Sequence, residues 1–346
     1  MRRFNGVLHG QLWRPLLVLA AIVLLLPWFI PTPYIFTILI LIGIYSLITI
    51  GLSLLLGYAG QISLGHAAFF GIGAYVSGIL TAKYAISPWL AMVIGVIVTW
   101  VISYAVGMAI LRLKGHFLAL ATMAVNIIFY ILILGLDEWT GGASGLVGIP
   151  GLSLFQLNLG QPLYFYFFVW SIVLVVIVFS TNIVRSSIGR VLRSIHDSEI
   201  ATEMLGVNVA KYKVAIFSLS AVYASLAGSL YAHFISFIAP PSFYITFSIL
   251  LLVMVMVGGV HSIWGAVLGT AIIMFLNEWI RYIGQTYFQI SGQVEIVVYG
   301  FIIIVVMMFM PKGLVDVFER LWRKIASARI KEVEKRKIAA ERGDLA

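Results

Sequence analysis

The sequence predicts an all-α fold: a polytopic transmembrane helical bundle of about ten spans (eight to ten), with the N- and C-termini cytoplasmic. Three observations predict it. Of 346 residues, 62% are hydrophobic and only 10% charged, with a mean hydropathy of +1.08, whereas roughly a quarter of an average soluble domain is charged. Apolar runs of about 20 residues, enough to cross a ~30 Å hydrocarbon core as helix, recur from Pro15 to Pro311, and no alternating pattern indicates a barrel. Lys and Arg gather in alternate loops.

Taken in order, the first span (15–30) follows a basic start and has the apolar core of a signal peptide. PWFIPTPY follows it in place of a small-residue cleavage site, so it reads as a retained span. Hydropathy and Gly/Pro breaks then give 34–56, 62–82, 89–111, 117–136, 163–184 and 214–237. The next is the weak one, because SILLLVMVMVGG is short and runs into GGVHSIWGAVLG. Residues 245–284 therefore read either as two spans, 245–259 and 263–284, or as one broken or re-entrant element. Such breaks are tolerated only inside protein or beside a water-filled cavity. The last span is 294–310. With the N-terminus inside and ten crossings, every Lys and Arg except Lys83 and Arg281 falls on the cytoplasmic side. The chain thus divides into a cytoplasmic N-terminus (1–14), a membrane domain (15–310) and a cytoplasmic basic tail (311–346). Within the membrane domain, 137–162 is an extracytoplasmic loop rich in Gly, Pro and Ser, and 185–213 is a charged cytoplasmic loop.

The net charge of +9 is accounted for by cytoplasmic anchoring residues and does not imply nucleic acid; basic residues of the tail can touch anionic headgroups. Without cysteine there is no disulfide framework or thiolate metal site. The histidines, at 9, 66, 116, 196, 233 and 261, form no cluster with metal-ligand spacing. There is no G-x-x-x-x-G-K-[ST] phosphate loop, so ATP chemistry, if used, belongs to another chain. An intramembrane enzyme would need a catalytic pair or metal cluster, and neither is legible. A proton- or sodium-driven carrier would need ionisable residues at mid-membrane, where this sequence has almost none. A channel stays open on spans alone.

Residues 57–80, GYAGQISLGHAAFFGIGAYVSGIL, hold six glycines. Here Gly57, Gly60 and Gln61 fall at a cytoplasmic turn, and Ser63, Gly65 and His66 at the start of the third span. Small residues let helices approach closely, and Ala74-x-x-x-Gly78, Ala224-x-x-x-Gly228 and Gly265-x-x-x-Gly269 have the spacing for it. Gln61, Ser63, His66, Thr122 and Asn126 would be costly facing lipid and are expected to point into the bundle. With Gly57, Gly60, Gly65, Gly258 and Gly259, they are candidates for the translocation path or for helix packing. His66 is expected to bond a backbone carbonyl; His116 is expected at the interface. From Trp28 to Arg112 the only charged side chain is Lys83, which suits a solute whose own charges cancel, such as a zwitterionic amino acid with an aliphatic tail; a neutral path would also suit urea or a short amide. Glu278 and Arg281, three apart near the outer face, read either as a helical ion pair or as a docking site for an outer partner.

In the cytoplasmic loop, Val191, Leu192, Ile195, Ile200, Met204 and Leu205 recur at helical spacing, and Gly206 supplies a stop. This predicts a short amphipathic helix. Arg193 and Asp197 are four apart in the less favourable order, while Glu199 and Glu203 repel. Acids left over on one side can be offered to a partner; an interfacial helix on the bilayer is the alternative.

The same loop with its following span, GRVLRSIHDSEIATEMLGVNVAKYKVAIFSLSAVYASLAGSLYAHF, resembles LivM-type branched-chain amino acid permeases, membrane subunits of ATP-binding-cassette importers. So do GYAGQISLGHAAFFGIGAY, TGGASGLVGIPGL (140–152), VMVGGVHSIWGAVLG (255–269) and MPKGLVD (310–316), in matching order over about 34–316. The resemblance implies a non-catalytic permease domain in the bacterial inner membrane that works by alternating access. It implies a homologous second permease of LivH type, two ATPase subunits of LivG/LivF type that use ATP and Mg, and a periplasmic solute-binding protein, with no cofactor on this chain. It makes the cytoplasmic loop a coupling helix and nominates Gly189, Arg190, Arg193, Asp197, Glu199, Glu203 and Gly206 for ATPase coupling. The outer pair Glu278 and Arg281 becomes a candidate for binding-protein docking. One departure is that the wider importer pattern Glu-Ala-Ala, three residues, Gly is not met, since Glu199-Ile200-Ala201 stands four residues before Gly206.

Overall fold

The computed structural model describes residues 16–28, 33–113, 115–154, 157–158, 160–283 and 300–301. The predicted span 294–310 and the tail after 310 lie outside these residues, apart from 300–301. Nine apolar helices are described. Six are long and apolar enough to cross a membrane, and Leu16–Trp28, His66–Ala82 and Ile245–Gly258 are shorter. In chain order, α1 is Leu16–Trp28 and α2 is Pro33–Ser53, closed by a π-helical turn Leu54–Tyr58. Next come α3, His66–Ala82, α4, Pro88–Ile110, and α5, His116–Gly135. A one-turn helix Asp137–Thr140 (α6) opens the loop that follows α5. After it follow α7, Pro162–Arg185, α8, Ser187–Asp197, and α9, Glu199–Met204. The described fold closes with α10, Val209–Ile235, α11, Ile245–Gly258, and α12, Ile263–Ile283.

Local chemistry sets several of these ends. Ser87 accepts from the Leu90 amide, with Pro88 as the first helical residue of α4. Asn208 Oδ1 takes the Lys211 amide at 3.0 Å to start α10, and Ser236, at φ 59°, ends it. Packing then sorts the helices. The most apolar stretches of α2 and α10 are 89% and 72% buried, against 22% for α4 and α5, so α2 and α10 form the centre. Around α10 lie α3, α4 and α2, and α2 also contacts α7, α11 and α12. One face of α5, Leu118, Thr122, Asn126 and Ile133, is buried, while Phe117, Leu120, Ile128 and Ile131 remain exposed, as expected of a peripheral membrane helix.

Helices α11 and α12 form a hairpin joined by Gly259–Ser262. A Cβ on Gly258 would lie 1.8 Å from the Gly265 carbonyl oxygen, so Gly265 and Gly269 are used for close backbone approach. The 14 residues of α11 span about 21 Å at 1.5 Å per residue, short of a ~30 Å core. Residues 245–283 thus form two helices broken at Gly259, the first of them short.

The third span differs from expectation at its start. Its helix begins at His66, so 60–65 is non-helical chain. Its deep end is buried: Leu64 N donates to Thr122 Oγ1 of α5 and Ala67 N to Ser248 Oγ of α11, both at 3.0 Å. Those hydroxyls satisfy amides that a helix start leaves unpaired, which makes irregular backbone tolerable within the bundle.

The loop between α5 and α7 is a built cap. Leu146–Val147 pairs antiparallel with Phe237–Ile238, and Ser153–Leu154 with Leu157–Asn158. His233 ties the cap to the bundle by bonding the Ser77 hydroxyl at 2.7 Å and the Pro150 carbonyl at 2.8 Å.

Candidate functional site

Three turns converge at the end of the molecule that carries α8 and α9: 57–61 after α2, 259–262 between α11 and α12, and the loop from α7 to α10. A Cβ on Gly57 would lie 2.0 Å from the Val260 carbonyl oxygen, so only glycine permits this approach. Ser53 Oγ donates to the same carbonyl at 2.9 Å, and the Tyr58 hydroxyl to that of His261 at 2.7 Å. Gly60, at φ +67°, lies against His196, whose Cδ2 would be 3.0 Å from an added Cβ; the His196 ring meets that of His261 at 5.4 Å.

The single helix predicted for the loop 185–213 is two. Ser198, in extended conformation, ends α8 and caps α9 by accepting from Ala201 N, because a serine side chain competes for backbone amides as a helix start does. Leu192 and Ile195 of α8 are buried, but Ile200, Met204 and Leu205 are 61%, 83% and 80% exposed. Gly206, at φ +81°, closes the loop as its position after the last helical residue predicts.

The seven nominated loop residues divide between internal and outward roles. Gly189 is packed against the Val184 carbonyl, and Arg193 donates to the carbonyls of Gly189 (3.1 Å) and Val184 (2.9 Å), holding α8 to the end of α7. Asp197 is exposed beside His196, 3.6 Å away. Arg190, Glu203 and Gly206 are exposed. Glu199 is engaged within the chain: it forms an ion pair with Lys213 of α10, and Gln61 Nε2 donates to its Oε1 at 3.3 Å and to the Ala59 carbonyl at 3.0 Å. Lys213, only 2% exposed, was not singled out from the sequence, where it looks like another loop cation.

Deeper in, all five polar span residues are buried: Gln61, Ser63, His66, Thr122 and Asn126. The ring nitrogens of His66 meet two hydroxyls, Ser63 Oγ at 3.1 Å and Ser220 Oγ at 2.6 Å, in place of the expected backbone carbonyl. A Cβ on Gly65 would press on the Thr122 carbonyl oxygen at 2.9 Å. Asn126 has neither amide atom hydrogen-bonded. Gly258 and Gly259 belong to the α11 hairpin, Gly259 at φ +116°. His116 is exposed at the start of α5.

At the opposite end, Arg281 Nη2 donates to Glu278 Oε1 at 2.7 Å and to the Tyr34 hydroxyl at 2.8 Å, and that hydroxyl donates to Glu278. The pair is a helical ion pair that also fastens α12 to the start of α2. Lys83 donates to the Glu138 carbonyl, so Lys83 and Arg281 are both engaged within the chain. Among the described residues no group of three or more His, Asp or Glu is placed to hold a metal ion.

The family described as "Branched-chain amino acid transport system / permease component" matches residues 34–307. The high-affinity branched-chain amino acid transport system permease protein LivM of Salmonella typhimurium is 27% identical over 294 residues, 78% of this chain and 67% of that protein. LivH of the same organism is 26% identical over 291 residues, 78% of this chain and 90% of that protein. A probable LivM permease of Methanocaldococcus jannaschii is 21% identical over 318 residues, 80% of this chain and 92% of that protein. No solved structure matches the chain.

Proposed function

The chain belongs to the branched-chain amino acid transport system permease family, and from that premise we propose that it is the membrane permease subunit of an ATP-driven importer of branched-chain amino acids. In this reading about ten spans cross the bacterial inner membrane with both termini cytoplasmic, and a second, homologous permease completes the path. Two ATPase subunits hydrolyse ATP with Mg, and a periplasmic binding protein delivers the solute. This chain carries out no chemistry; it changes which side the bundle opens to.

The observation that carries the ATP-driven reading is the outward face of α9. Ile200, Met204 and Leu205 are exposed on a loop outside the apolar helices, flanked by the exposed Asp197 and Glu203 and the exposed Arg190. Apolar side chains gathered on an extramembrane tip mark a contact surface, and here α8 and α9 sit at the junction that joins α2, α3 and the α11–α12 hairpin. Support for the solute comes from the scarcity of fixed charge between Trp28 and Arg112, which suits a zwitterion with an aliphatic tail.

Purification through this chain followed by reconstitution tests the proposal. The expected result is copurification of an ATPase and ATP-dependent uptake of leucine, isoleucine and valine. Uptake of urea or acetamide in their place would reassign the solute, and transport by the chain with no ATPase present would overturn the reading.

A further inference from the structure

Gln61 lies at the beginning of the non-helical entrance to α3 (60–65), and it is bonded to the loop between α7 and α10. Its amide nitrogen donates to Glu199 of α9, whose carboxylate is in turn paired with the buried Lys213 of α10. Five residues further on, His66 bonds Ser220 of the same α10. Lys213 and Ser220 are seven positions apart on α10, so the entrance runs about 10 Å into the bundle along it. We propose that Gln61 and Glu199 form the internal linkage through which movement of α9 reaches this buried entrance. Glu199 is then a transmission residue inside the permease and not a contact for the ATPase. The proposal rests on the function proposed above and deepens it.

Three features fit a moving link better than a fixed packing contact. The bond joins an extramembrane helix of six residues to chain that has no secondary structure of its own. It is backed by Lys213, a charge that burial makes dependent on its partner, so α9 cannot drift without carrying the carboxylate or exposing the ammonium. Its far end is held by hydroxyls from three helices, at Thr122, Ser220 and Ser248, and such bonds can be exchanged one at a time. The exposed apolar side chains of α9 lie outside this linkage, leaving one part of the helix to receive force and another to pass it inward.

The test uses the assembled importer with Gln61→Met, which removes the link and leaves the Glu199–Lys213 pair in place. Expected are unchanged ATPase copurification and near-normal ATP hydrolysis, with amino acid uptake per ATP lowered roughly ten-fold, within the 5–150-fold range of ordinary coupling between sites. Gln61→Glu, which sets a second carboxylate against Glu199, is expected to uncouple at least as strongly. Uptake within two-fold of the wild type in both variants would overturn the linkage. So would hydrolysis and uptake falling in step, the mark of a docking contact, or loss of the folded complex in both variants, which assigns the contact to folding. A wild-type chain that brings down no ATPase refutes the importer reading instead, and is seen before any variant is made.

Discussion

The Nε2 atom of His66 stands 2.6 Å from the hydroxyl of Ser220, fastening the start of α3 to the middle of α10. Both groups are buried, so neither can replace the other with water. His66→Leu is expected to destabilise the chain by about 1–3 kcal/mol, the cost of leaving a buried hydroxyl unpaired, read as a lowered thermal midpoint in detergent. Combined with Ser220→Ala the cost should fall short of the sum of the two single changes by about 0.5 kcal/mol or more. Strict additivity would show that the bond contributes nothing.

Gly57 provides a steric prediction. An added Cβ meets the Val260 carbonyl oxygen at 2.0 Å, and backbone on both sides leaves little room to yield. Gly57→Ala should cost about 1–3 kcal/mol, as overpacking does, and should loosen the Tyr58–His261 and Ser53–Val260 bonds together. Gly135→Ala is the control, since no atom lies within 4 Å of a Cβ there; its thermal midpoint should match the wild type or exceed it.

Asn126 is fully buried, and both its amide atoms lack a hydrogen-bond partner. An unpaired buried amide costs about 1–3 kcal/mol. Asn126→Leu, of similar size, is therefore expected to raise the thermal midpoint. It is also expected to reduce uptake, because a destabilising polar group facing into the bundle is useful only where another state gives it a partner. Stability and uptake moving in the same direction would refute this.

Most helix positions were legible because apolar runs and Gly/Pro breaks report the bilayer directly. The predicted 89–111 and 163–184 became Pro88–Ile110 and Pro162–Arg185. The entrance 60–65 was not legible as irregular chain, since Ile62 and Leu64 continue the hydropathy of α3 and only tertiary hydroxyls at Thr122 and Ser248 make an unwound start tolerable. Ser198 splits the loop helix by a capping bond that periodicity does not register. The Glu199–Lys213 pair joins residues fourteen apart across the Gly206 turn, outside the i, i+3 and i, i+4 spacings from which helical ion pairs are read. The same limit hid Tyr34, which completes the Glu278–Arg281 pair from a distant helix.

The exposed end of α9 gives the last prediction. Met204 and Leu205 are 83% and 80% exposed, so replacing both by Glu removes almost no buried surface and should change stability by no more than about 0.5 kcal/mol, as surface substitutions usually do. If the ATPase seats on this face, each side chain becomes buried on assembly, and burial of one such side chain is worth about 1.5–3 kcal/mol. Met204→Glu with Leu205→Glu should therefore weaken ATPase copurification by at least about ten-fold while the melting temperature holds, the reverse of the pattern expected at Gln61, where the ATPase stays bound and transport is lost. Full ATPase recovery with the double variant would remove this face from the contact and leave the adjacent charged residues, Arg190, Asp197 and Glu203, to carry it.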